Sequence, residues 1–126
     1  MNIYPVAYEV EYTDEFGDWW KGLDESAQES LTASVGLLEE QGPHLGYPHS
    51  SHIKSSRHSH LRELRIQHKG HPYRILYAFD PRRMAILLIG GYKTGNDRWY
   101  DQLVPIADKL YDEHLVILEE EKKADG

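Results

Sequence analysis

Six consecutive apolar residues, MAILLI at positions 84–89, run directly into Gly90 and Gly91. A run with no polar position has no face to offer to solvent, so it suits a strand covered on both sides. Two further strand-like runs precede it. In LRELRIQH, Leu64 and Ile66 alternate with Arg65 and Gln67. In PYRILYAFD, Tyr73, Ile75, Tyr77 and Phe79 share one face while Arg74 lies on the other. Turn signals separate the runs, at Lys69-Gly70-His71-Pro72 and at Asp80-Pro81-Arg82-Arg83. Residues 61–93 therefore read as a three-stranded antiparallel meander. Cationic side chains project from its first two strands and from the end of the third.

The remaining chain places helices around this meander. Alternation of apolar and acidic residues from Tyr8 to Tyr12, preceded by Val6 and Ala7, predicts a first strand. Thr13 or Asp14 can cap a short helix in which Phe16, Trp19, Trp20 and Leu23 form an apolar stripe. Such an aromatic stripe is a core feature before it is a base-stacking one. Asp24 is a second N-cap, Ala27, Leu31, Val35 and Leu38 line one face of the helix it opens, and Gln41-Gly42-Pro43 ends that helix. The two helices form a hairpin on the sheet. Asn96 or Asp97 can cap a last helix with Trp99, Leu103, Ile106, Leu110 and Leu118 on its apolar face. Pro105 is expected to kink that helix or restart it, and residues 119–126 read as a frayed tail. The fold class is α+β, in the order strand, two helices, three strands, helix, with an antiparallel sheet. Residues 1–126 suit one domain with one core.

Several function classes are disfavoured. No apolar run approaches the roughly 20 residues needed to span a bilayer, and the N-terminus lacks a basic segment followed by an apolar one, so the expected location is cytoplasmic and no membrane is involved. The absence of cysteine removes disulfides and thiolate metal sites, which fits a reducing compartment. The net charge of −7 argues at first against a nucleic-acid partner. Its distribution argues the other way: residues 54–98 carry ten basic and three acidic residues, a local +7, and the rest carries four basic and eighteen acidic, or −14. Because charges beyond about 8 Å are largely screened at physiological salt, a basic meander between acidic helices can still present a positive face to phosphate. The alternative is that these cations decorate solvated strand faces.

Residues 42–60, GPHLGYPHSSHIKSSRHSH, have no helical or strand period and read as a loop. Their histidines, His49-x-x-His52 and His58-x-His60, have zinc-like spacing. With no carboxylate in the run and no cysteine, no metal site and no cofactor are assigned. A phosphate-contacting lip is the favoured use, with Lys54, Arg57, His58 and His60 as RNA-binding candidates together with Arg62 and Arg98.

PYRILYAFD followed by LLIGGYKTGNDRWY resembles the bacterial RelE/HigB toxins of toxin–antitoxin modules, in the RelE/ParE superfamily and its phage-derived HigB-like branch. The resemblance runs from the first strand to about Leu118 and is closest over residues 61–100. It implies a compact toxin that cuts mRNA without a metal, often on the translating ribosome, and is neutralised by a cognate antitoxin, as a helix-turn-helix type or similar. Residue by residue, it assigns phosphate holding to Arg74. Arg65 would lower the 2′-hydroxyl's pKa or hold the phosphate, Lys93 would stabilise the leaving group, and Tyr100 would stack a base or assist proton transfer, with Tyr92 its competitor. Glu63 stands where a second cation is expected, and can act as a base or tether Arg65. A ParE-like poison of DNA gyrase without nuclease activity and a non-toxic protein-binding module remain as alternatives. The oligomeric state stays open between a homo-oligomer and a toxin–antitoxin heterocomplex.

Overall fold

The computed structural model describes residues 7–93, 95 and 98–125. Its elements follow the expected order with one addition: β1 (Val10–Tyr12), α1 (Asp14–Lys21), α2 (Glu25–Gln41), a 3-10 turn (Gly42–His44), β2 (Ser50–His52), β3 (Arg62–His68), β4 (His71–Phe79), β5 (Ala85–Tyr92) and α3 (Trp99–Asp125). The strands form one sheet in the order β1-β5-β4-β3-β2. The class is α+β, as the sequence predicts.

The hydrophobic pattern explains the layers. In β3 and β4, Leu64, Ile66, Ile75 and Tyr77 point to one face, where Phe16 of α1 and Leu31 and Leu38 of α2 meet them. On the opposite face Leu76, Ala78, Ile86 and Leu88 pack against Trp99, Val104, Ala107, Leu110 and Tyr111 of α3. The apolar run in β5 is thus sandwiched between helices, which is why it has no polar position. Each fully buried leucine or isoleucine in these layers contributes about 2 kcal/mol by removing apolar surface from water.

Local chemistry sets the element ends. Thr13 caps α1, its Oγ1 accepting from Phe16 N at 3.0 Å and donating to Leu88 O of β5 at 2.7 Å. Asp24 caps α2 through Ala27 N at 2.8 Å, and Gly42 at φ 55° ends it. Between β3 and β4 the two-residue turn is Lys69-Gly70, both with positive φ, as a tight antiparallel hairpin demands. His71 and Pro72, read as part of the turn, belong to β4.

The structure departs from the sequence reading in four places. The sheet is mixed, because β1 runs parallel to β5, the whole intervening chain serving as the crossover that parallel pairing requires. Part of the stretch read as loop forms β2, which pairs antiparallel with β3. In α3, Ile106 is exposed while Val104, Ala107 and Tyr111 take the buried face. That helix also continues through Pro105 to Asp125 with no restart there, the bond lost at the proline being one to Asp101 in the exposed first turn. Val6 and the proposed caps Asn96 and Asp97 lie outside the described residues.

One irregularity positions the site. Leu76 pairs with Ile89 but Tyr77 pairs with Leu87, so β5 carries one extra residue, a β-bulge at Leu88. Leu88 and Ile89 consequently both pack toward α3. Beyond the bulge Gly90 faces Trp19 of α1, Gly91 faces Trp99 of α3, and Lys93 lies over the Tyr100 ring.

Candidate active site

The α3 face of the sheet carries polar side chains beyond the start of α3. Register fixes the cations there: Arg65 of β3 sits directly opposite Arg74 of β4, and Arg74 opposite Gly91 of β5. Because Gly91 has no side chain, Trp99 can lie against the strand, and this seats the first turn of α3 with Tyr100 beside Arg74 and Lys93.

Glu63 occupies the centre. It is 4% exposed, and its Oε1 accepts a hydrogen bond from the Tyr100 hydroxyl at 2.7 Å. Its Oε2 accepts from Ser51 Oγ of β2 at 3.0 Å and lies 3.9 Å from Arg65 Nη1. Arg74, 7% exposed, brings Nε to 3.1 Å from Glu63 Oε1, but out of line, so that this nitrogen is left without a hydrogen bond. Charge attraction rather than hydrogen-bond geometry couples this pair. Arg74 Nη1 donates to Tyr73 O at 3.0 Å, which holds the guanidinium in place.

The electrostatics follow from burial. Tyr100 is pushed above the ordinary phenol range by burial and by its bond to the Glu63 carboxylate, with Arg74 opposing more weakly. It therefore stays protonated at neutral pH, its proton directed at the Glu63 carboxylate. The outer cations each rest on an aromatic ring: Arg65 Cζ lies 5.4 Å from the Tyr47 centroid and Lys93 Nζ 5.3 Å from that of Tyr100.

Of the residues assigned catalytic roles, Arg65, Arg74 and Tyr100 thus meet around Glu63, and Lys93 joins them over the Tyr100 ring. Four of the six RNA-binding candidates make contacts elsewhere. Arg62 points to the opposite face of the sheet, where its Nε donates to Ser50 Oγ at 3.1 Å. Arg57 is ion-paired with Asp112 of α3, and His58 contacts the same carboxylate at 2.8 Å. These two bonds hold Asp112 below the usual carboxylate range. His60 Nε2 lies 3.0 Å from the Tyr111 hydroxyl. Lys54 and Arg98 are exposed. The local +7 is dispersed further by Arg82, which pairs with Asp80 and Glu11 at the far end of β4. Tyr92, the competitor of Tyr100, bonds His71 and packs on Tyr73, away from Glu63. Sequence reasoning missed Ser51 and Tyr47, since both lie in a stretch with no period; the pairing of β2 with β3 brings them in.

Comparison with known proteins places this architecture. Residues 18–112 match the family of phage-derived Gp49-like proteins. Two Mycobacterium tuberculosis (strain H37Rv) proteins named as candidate toxins are similar. HigB2 is 42% identical over 106 residues, covering 82% of this chain and 53% of HigB2. HigB3 is 47% identical over 92 residues, covering 72% of this chain and 79% of HigB3. The chain spans about half the length of HigB2 and most of HigB3. Among solved structures, the isolated Escherichia coli RelE toxin matches with a TM-score of 0.50 at 15% identity, over 79% of this chain and 99% of that one. A chain of the archaeal RelE–RelB complex from Pyrococcus horikoshii OT3 matches at 0.53 and 13% identity, over 71% of this chain and 98% of that one. At such identities the likeness is one of fold. By sequence the chain is HigB-like, and its fold is like that of RelE. The chain belongs to the phage-derived Gp49-like family.

Proposed function

We propose that this chain is the toxin of a type II toxin–antitoxin module, one domain acting in the cytoplasm as a metal-independent mRNA endoribonuclease on the translating ribosome. The observation that carries the reading is the convergence of Arg65, Arg74 and Tyr100 from β3, β4 and α3 around one buried carboxylate, with Lys93 from the end of β5 over the Tyr100 ring. Cutting RNA without a metal means activating a 2′-hydroxyl, neutralising the crowded phosphorane and protonating the departing 5′-oxygen. Arg65, partly exposed and able to offer a two-pronged fork, holds the phosphate and favours ionisation of the 2′-hydroxyl, whose proton passes to water. Arg74 adds its field from behind. Lys93 offsets charge on the leaving oxygen, and Tyr100, kept protonated, supplies the proton. Glu63 is too buried to reach a ribose and instead fixes the groups around it. A cognate antitoxin of helix-turn-helix type silences the site by covering these cations, an exchange of charge that suits acidic segments.

The test is inducible expression in bacteria with primer extension on total mRNA, comparing wild type with Arg74→Ala and Lys93→Ala. New 5′ ends and growth arrest that vanish in both variants are expected. Lys93 is only partly buried, so its variant is expected to keep the fold, which guards against reading an unfolded Arg74→Ala protein as an inactive one. Arrest with intact mRNA would replace the nuclease with a gyrase-type poison, and unimpaired growth would replace it with a non-toxic binding module.

A further inference from the structure

Tyr47 is the most exposed of the large apolar side chains described, at 78%, yet it is not placed at random. Its loop is pinned on both sides. Leu45 is buried in the core, the amides of His49 and Ser50 both donate to Gly46 O at 3.0 and 3.1 Å, and Arg65 N donates to His49 O at 2.9 Å. The residue that anchors the loop through its backbone is the same residue whose guanidinium lies against the Tyr47 ring. Tyr47 therefore presents one face to Arg65 and the other to solvent, at the β3 edge of the site. On the far side, the ring of Tyr100 is already taken up by Lys93 and by the bond to Glu63.

From this geometry we infer that Tyr47 is a stacking platform for one unpaired nucleobase of the RNA, next to the phosphate held by Arg65. The inference rests on the proposed nuclease reading and adds a base-binding subsite to it. An exposed aromatic ring leaves a large apolar surface in water, and a nucleobase laid on it removes that surface without requiring any particular base. Arg65 beneath the ring adds cation–π attraction, and its outward edge remains available to the adjacent phosphate. The ring and the fork thus grip neighbouring parts of one nucleotide. The subsite tolerates any base and favours purines, whose rings overlap a phenol more fully.

The experiment uses the full chain and a short single-stranded RNA, 2′-O-methylated throughout so that it cannot be cut, together with versions that lack the base at each position in turn. Affinities are measured at low salt for wild type, Tyr47→Phe and Tyr47→Leu. For wild type, removing one particular base weakens binding about ten-fold, the size of one stacking contact. In Tyr47→Leu the intact RNA binds about ten-fold more weakly, and removing that same base has no further effect. Tyr47→Phe retains the wild-type pattern. If Tyr47→Leu shows the same dependence on every base as wild type, the platform is refuted while the nuclease site stands. If wild type binds none of these RNAs, or binds them as well after Lys93→Ala, the nucleic-acid reading of the site falls and the platform with it.

Discussion

Replacing Glu63 with glutamine keeps the shape of the side chain and lets Oε1 still accept from Tyr100, while the amide nitrogen in place of Oε2 donates to the Ser51 hydroxyl and one charge is removed. Arg74, with 9% of its side chain exposed, then keeps its charge in a site with no counter-charge. Breaking a buried pair from one side costs about 3–5 kcal/mol, and the hydrogen bonds that glutamine preserves put this case near the lower limit, at about 3 kcal/mol. With an unfolding entropy of about 2.1 cal/mol/K per residue, such a loss lowers the melting temperature of this chain by roughly 11 °C. Thermal and urea unfolding followed by circular dichroism measure it. Glu63→Gln combined with Arg74→Met removes both charges and should recover at least half of the loss, because an apolar pair avoids desolvating two ions. A melting temperature within about 3 °C of wild type for Glu63→Gln, or a double variant less stable than the single, would refute the idea that charge attraction holds the centre of the site.

Thr13 joins α1 to β5 with a single hydroxyl, so Thr13→Val should cost about 1–2 kcal/mol in urea unfolding with the m-value unchanged. Gly91→Ala places a methyl group 2.8 Å from the Trp99 ring, and should cost about 2 kcal/mol and shift Trp fluorescence as the start of α3 is displaced. Burial alone would raise the Asp80 pKa, but hydrogen bonds from Arg82 and His114 outweigh it and leave the carboxyl below its ordinary range. A carboxyl depressed in the fold stabilises above its unfolded pKa near ~3.9 and loses that contribution as pH falls through the folded value. The stability gap between wild type and Asp80→Asn should therefore narrow below about pH 4 in acid titrations of unfolding.

The meander was legible because alternation, turn chemistry and an unbroken apolar run all specify the same strands. Thr13, Asp24 and Gly42 announced the helix ends for the same reason: each is a residue type that does one local job. Parallel pairing of β1 was not legible, since a three-residue strand carries no signal of direction. Nor was β2, whose sequence SSH has little strand character and becomes a strand because β3 offers it a partner. At the site, alternation in β4 placed Arg74 and the end of the apolar run placed Lys93, while their roles came from the family resemblance alone. The neutralisation of Arg57 and Arg82 could not, because their partners Asp112, Asp80 and Glu11 are brought close only by the tertiary fold. Glu63 looked like a departure from a cationic pattern; in the fold it is the group toward which the cations turn.

The extra residue in β5 has a consequence for how this protein can change. Side chains alternate along a strand, so Ile86 and Leu88 would by simple counting put Lys93 on the α1 face. The bulge reverses the count, and Lys93 reaches Tyr100 instead. Loss of the codon for Leu88 would remove the bulge and leave Tyr77 opposite Leu87 and Leu76 opposite Ile89, so Lys93 would keep its face. Straightening the strand with all its residues kept would instead slip the pairing by one and turn Lys93 away from Tyr100. The candidate site therefore rests on the bulge itself, a feature that a list of its residues would not reveal.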